Sequence, residues 1–212
     1  MAIAVTALAM FPALGEVALM LAAALVLVAV YRAEWRDALM SAANGVVWGA
    51  ILALAFHLMA DNFQLRYAWI YSGSELPLHL KLANIWGGDE GTTLLLAAIL
   101  TSLAGRYHAR MGSSQVTAWL AVWYLAFAAY LTPFAATSVD WLAEKASQGM
   151  NAHLMNFWML LHAPLIFLAY GWVLSLAAPS LDALSGREMR WPAHGLTDAR
   201  RAWALLTAGI GF

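Results

Sequence analysis

The chain of 212 residues contains no cysteine. That absence excludes disulfides, thiolate nucleophiles and iron–sulfur sites of its own, and it leaves metal chemistry to His, Met, Asp or Glu. Charge is also scarce. Only 11% of residues are charged, against 63% in the AVILMFWYC set, and the formal net charge is −1. Soluble domains sit nearer half apolar and a quarter charged, so this composition is that of a membrane protein. The near-neutral balance suggests no nucleic-acid partner. The N-terminus has no basic region ahead of its apolar run, so no cleaved signal peptide is expected. Fixed-period repeats, low-complexity tracts, phosphate-cradling loops, nucleophile–base pairs and metal-spaced His/Cys clusters are all missing.

What is present is a series of apolar runs. A spanning helix needs about 20 mostly apolar residues. Residues 13–31 form the first run, with Pro12 ahead of it at a favoured helix start. Residues 40–59 form the second and contain His57. The third begins near Asp89 and ends near Gly105. The fourth covers 116–132, and the fifth covers 156–178 with Pro179 as its expected end. Short helices are expected at 77–86 and 139–146, in the two long connections. Arg200 and Arg201 open a sixth run of about 12 apolar residues, roughly 18 Å of helix, which is too short for a hydrocarbon core of about 30 Å. The fold class is therefore all-α: a polytopic transmembrane helical bundle with five full spans plus a truncated sixth, and with interfacial helices in the outer loops. Residues 1–212 are expected to be a single transmembrane domain, a fragment of a longer or split protein.

Basic residues give the orientation. The turns after spans one, three and five hold Arg32, Arg36, Arg106, Arg110, Arg187, Arg190, Arg200 and Arg201, whereas the other side holds Arg66, Lys81 and Lys145. The N-terminus and both long loops are then outside, which in a bacterium is the periplasm. The inner arginines need no role beyond this topology signal.

On the outer side lies the stretch Leu82–Leu96, LANIWGGDEGTTLLL. Its glycines permit backbone conformations closed to other residues, and Asp89 and Glu90 suit the positive end of a helix starting there. His162 is the sharpest candidate for chemistry. It lies one to two turns inside the outer end of the fifth span, where ionisable groups are costly and usually functional. A neutral imidazole is a common haem or metal ligand, but a histidine hydrogen-bonded to a neighbouring helix fits the same position. Pro164 removes a backbone donor beside it. His57 reads as a packing histidine. His79 and His153 read as solvated loop residues or ligands, and His108 and His194 receive no role. Glu16 reads as an interfacial acid. Trp69, Trp86, Trp141 and Trp158 are interfacial anchors that could also form a flat apolar platform. In Pro77–Trp86, helical spacing puts Leu78, Leu82 and Ile85 on one face, with His79 and Lys81 pointing elsewhere.

Several ordered segments resemble the N-terminal part of the CcmF-type cytochrome c haem lyases, the large haem-handling subunits of cytochrome c maturation. They are Pro12–Ala13–Leu14–Gly15; Ile85–Trp86–Gly87–Gly88–Asp89–Glu90–Gly91; Gly149-x-Asn151-x-x-Leu154; His162-x-Pro164–Leu165 with Tyr170–Gly171; and Arg200–Arg201–Ala202–Trp203. The resemblance implies a membrane component of cytochrome c maturation in the bacterial inner membrane. It would bind haem b and help attach it to apocytochrome c on the outer, periplasmic face. It implies His162 as an axial ligand to haem iron. It also implies Trp86, Gly87, Gly88, Glu90, Gly91 and Pro164 as an outer-face cofactor-binding segment. A haem chaperone, apocytochrome c, thiol-reducing assembly subunits and membrane lipid are the implied partners. The chain departs from the family where Asp89 replaces a histidine and where Ala152 and Ala163 replace prolines. It also stops before the family's Trp-rich haem-binding segment and further histidines, so the fragment alone should lack a complete haem site and haem-lyase activity. A polytopic transporter of haem or another small molecule, or a non-catalytic assembly subunit, are the rival readings.

Overall fold

The run Leu94–Leu100 is buried on every side, and the bundle is assembled around it. A helix that is apolar all round belongs in the middle of other helices. The computed structural model describes residues 2–111, 115–184 and 191–211, all helix, turn and loop apart from one isolated bridge. The helices are α1 (Ala2–Tyr31), α2 (Arg36–Met59), α3 (Arg66–Tyr71), α4 (Leu78–Ala83), α5 (Asp89–Met111), α6 (Gln115–Leu131), α7 (Val139–Glu144), α8 (Met159–Leu184) and α9 (Trp191–Gly211). The central helix α5 packs against α2, α6 and α8. Around it, α1 packs against α2 and α6, and α9 lies along α8.

Each outer helix divides its apolar residues between two faces. On α1, Leu19, Ala22, Val26 and Ala29 are buried, at the three-and-four spacing of a helix–helix seam, while Val17, Leu21 and Val28 are exposed. On α6, Thr117, Ala121, Leu125 and Ala128 are buried. Its other face exposes Trp119, Trp123, Phe127 and Tyr130, with Trp123 stacked on Phe127 and Phe127 on Tyr130. Small residues inside and large apolar residues outside is the packing expected of helices solvated by lipid. Among the described residues, three helical segments are long and apolar enough to cross a membrane: Leu14–Tyr31, Ala33–Met59 and Met159–Ala177. Gln115–Leu131 is apolar but shorter.

Several helix limits differ from the sequence reading. Pro12 lies inside α1, α8 runs past Pro179 to Leu184, and α9 begins at Trp191, ahead of Arg200. A proline removes only its own backbone donor and strains the preceding turn, and a helix packed in a bundle continues through it. The polar stretch 191–201 is helical all the same, and α9 as a whole packs on α8.

The short helices gather at one end of the bundle. There the α2–α3 and α6–α7 connections are joined. Arg66 N donates to Ala135 O at 2.8 Å and Thr137 N donates to Gln64 O at 2.7 Å, around an antiparallel bridge of Leu65 with Ala136. Just beyond the ends of α2 and α6 lies a non-glycine residue with positive φ, Asp61 and Thr132. Each such residue is held by a cation. Lys81 Nζ lies 2.6 Å from Asp61 Oδ1, and Arg66 donates to Thr132 Oγ1 at 2.9 Å and to the carbonyls of Leu131 and Thr132. A cation at the carbonyl end of a helix also complements its dipole. At the other end, Arg36 does the same for α1 through Ala29 O and Val30 O. Arg66 and Arg36 are thus structural caps. Arg187 and Arg190 lie outside the described residues, as do the side chains of Arg110, His108 and His194.

Candidate functional site

The first turns of α8 are fastened from three directions. Asn156 Oδ1 accepts from Trp158 N at 3.0 Å, the side-chain-to-amide bond typical of a helix start. The indole of Trp86 donates to Met159 O at 2.8 Å. One turn further on, His162 Nδ1 lies 2.7 Å from Gly209 O on α9. A carbonyl only accepts, so Nδ1 carries the proton in this bond. In the neutral ring Nε2 then keeps its lone pair. Close approach of α9 depends on Gly209, since a Cβ there would sit 2.7 Å from Ile166 Cδ1 and 3.3 Å from Ile166 N. His162 is half-buried, and Phe157, Trp158 and Leu161 beside it expose apolar surface. Pro164, two residues on, provides no backbone N–H for Leu160 O.

The glycine-rich stretch is built into the wall supporting this turn. A 3-10 turn, Asn84–Trp86, precedes α5. Tyr67 is buried beneath it; its hydroxyl donates to Asn84 O at 2.9 Å and accepts from Gly88 N at 3.1 Å. A Cβ at Gly88 would overlap the Tyr71 ring, and one at Gly91 would overlap Ile85 O and the Tyr67 hydroxyl. Tyr71 donates to Glu90 Oε2 at 3.4 Å. Burial, reinforced by the Glu90 charge, pushes the Tyr71 phenol up to about 12, and burial raises Tyr67 further. Gly88 and Gly91 therefore give up their side-chain space to tyrosines of the protein itself. Gly87 and Glu90 are half-buried and Asp89 is exposed.

Other candidates have mainly structural partners. His57 is buried and its Nδ1 accepts from Asn62 Nδ2 at 2.9 Å, as a packing histidine should. Glu16 has a structural partner: its Oε1 accepts from Phe134 N at 2.9 Å, and Gly15 beside it makes room for the Phe134 ring. Lys81 is buried, contrary to the expected helical face, because Asp61 draws it inward; Leu78 is exposed instead. The four tryptophans do not form one platform. Trp69 is buried, stacked on Trp141 at 5.0 Å, and donates to Lys145 O, while Trp86 is spent on Met159. His79 is half-buried against Phe157 at 5.8 Å, and His153 is exposed. Among the described residues, no three His, Cys, Asp or Glu side chains converge as a metal cluster. Sequence reasoning missed Tyr67 and Gly209. The one signal for either was a glycine late in an apolar run facing a histidine-bearing span.

No protein-family model and no solved structure matches the chain. Curated sequences do. The chain is 30% identical, over 95% of its length, to the cytochrome c-type biogenesis protein CcmF of Pseudomonas aeruginosa. It is 30% identical over 74% of its length to NrfE of Haemophilus influenzae, and 29% identical over 74% to CycK of Rhizobium meliloti. The chain is a relative of the CcmF, NrfE and CycK cytochrome c-type biogenesis proteins. It spans 34%, 26% and 25% of the length of those three. In this CcmF relative, segments far apart in sequence meet at α8: Trp86 holds its first residue and Gly209 holds His162.

Proposed function

We propose that the chain is the N-terminal membrane portion of a CcmF-type cytochrome c maturation protein, and that His162 is one axial ligand to a bound haem, of the b type. The observation that carries this reading is the bond from His162 Nδ1 to Gly209 O. Histidines that ligate metals almost always donate their other ring N–H in this way, which fixes the tautomer and aims the free nitrogen. Nε2 would then be the atom that holds the iron. The fit also rests on donor chemistry. A bare ion needs several protein donors, whereas a macrocycle brings four nitrogens and asks the protein for axial ones alone. A single anchored imidazole beside exposed Phe157, Trp158 and Leu161 suits the second case.

In this reading α1, α2, α5, α6 and α8 span the bacterial inner membrane, α9 begins a sixth span, and the loop-rich end faces the periplasm. When bound, haem supplies the vinyl groups to which the cysteine thiols of apocytochrome c add. The residues of this chain hold and orient. His162 offers Nε2, Gly209 O keeps the Nδ1 proton, and Trp86 and Asn156 fix the turn from which His162 projects. A haem chaperone, apocytochrome c and thiol-reducing subunits would approach over the same end. The relatives, all named for cytochrome c-type biogenesis, support this assignment. The test is covalent cytochrome c assembly in cells whose only copy carries His162→Ala. Loss or a sharp reduction is expected, and normal assembly would refute the role.

A further inference from the structure

Two cavities meet on the face of α5 that looks between α2 and α8. The first, about 290 Å³, has a lining of mixed polarity and lies at the end opposite the loops, between the start of α2 and the end of α5. Asp37 and Arg106 both line it, with no ion pair between them, together with Ser41 and Asn44. The second, about 230 Å³, is almost wholly apolar and continues along α5 past Leu103, Ile99 and Leu95 to Pro164 on α8. Ser102 lines both cavities. Its hydroxyl accepts from the Trp48 indole at 3.1 Å and donates to Asn44 Oδ1 or Ala98 O. Arg106 joins them a second time, its guanidinium lying 5.6 Å from the ring centre of Trp172, which lines the apolar part.

We infer that this furrow binds one phospholipid with a zwitterionic, amine-bearing headgroup, phosphatidylethanolamine, whose head sits at the end away from the loops. The charge pattern selects the head. A guanidinium matches phosphate geometry, and a carboxylate in the same cavity matches an ammonium. A basic pocket alone would take any anionic lipid, but Asp37 opposes a headgroup that has no cation. The length selects the tail. From Arg106 to Leu95 the furrow follows α5 for about 17 Å at 1.5 Å per residue, close to one leaflet of a core about 30 Å thick. The inference rests on the membrane reading of the bundle and is independent of haem binding at His162.

The protein expressed from its own gene, extracted in mild detergent and washed, would be examined by native mass spectrometry beside Arg106→Gln and Asp37→Asn. Wild type should retain about one phosphatidylethanolamine, enriched at least fivefold over phosphatidylglycerol relative to the membrane. Arg106→Gln should lower retained phospholipid at least fivefold. Asp37→Asn should keep phospholipid but lose the preference for the amine headgroup, and this arm decides if Arg106→Gln does not fold. Wild-type retention that mirrors the bulk membrane would overturn the inference, as would a retained quinone or variants that match wild type. Release of the protein by alkaline washing of membranes would instead remove the membrane reading itself.

Discussion

Gly209→Ala tests the link between helix packing and the candidate ligand. The new Cβ would lie 2.7 Å from Ile166 Cδ1, 3.0 Å from Cγ1 and 3.3 Å from Ile166 N. Rotating the Ile166 side chain relieves the first two contacts but not the third, so α9 must move off α8 by some tenths of an ångström. The 2.7 Å bond from His162 Nδ1 to Gly209 O then lengthens or breaks. Overpacking of this kind amounts to about 1–3 kcal/mol, and the lost bond adds roughly 1 kcal/mol. The functional effect should exceed the loss of stability, because removing the partner of a metal-ligating histidine lowers affinity about 10–100-fold. Haem titration of the purified protein, followed in the Soret region, measures that affinity. Adding Ile166→Ala clears both side-chain contacts but leaves the one to Ile166 N, so it should recover only part of the affinity. Wild-type affinity in Gly209→Ala, or no recovery in the double variant, would refute the reasoning.

Lys81→Met should destabilise the protein by about 3 kcal/mol, the low end for a broken buried pair, because Asp61 keeps 31% of its side chain exposed. Thermal unfolding in detergent would show it, with partial recovery in Lys81→Met/Asp61→Asn. Trp86→Phe removes the bond to Met159 O, worth about 1 kcal/mol. Amide exchange should quicken in the first turns of α8 while α1 and α6 stay protected. Both Tyr67 and Tyr71 hold their protons more tightly when folded. For such acids the stabilisation is undiminished below the unfolded value near 10 and declines as pH rises toward the folded value. An ultraviolet titration should find these two still protonated at pH 11, and Tyr71→Phe should shrink that late fraction. Early ionisation of every tyrosine would contradict the buried placement.

The helices were legible because lipid-crossing runs are long and apolar, but that the third of them would be the buried centre was not, since the run Leu94–Leu100 shows its burial only once its neighbours are in place. The loop-rich end was much less so. Its order depends on contacts between residues far apart in sequence, such as Arg66 with Thr132 and Glu16 with Phe134 N. A periodicity argument put Lys81 on an outward face, yet an acid from another segment overrode it. The glycine-rich stretch was recognisable by its composition, but its physical use, seating Tyr67 and Tyr71, needs α3 in place. For His162 the sequence left ligand and helix-bonded histidine as alternatives. The bond to Gly209 makes them compatible, since one ring nitrogen serves the helix while the other keeps its lone pair.

The most direct test of the account is the axial ligation of haem in the purified protein, read by resonance Raman spectroscopy with and without His162→Ala. The account predicts a histidine–iron signature in wild type, its loss in the variant, and its restoration by added imidazole. An identical ligation spectrum in the two proteins would contradict it.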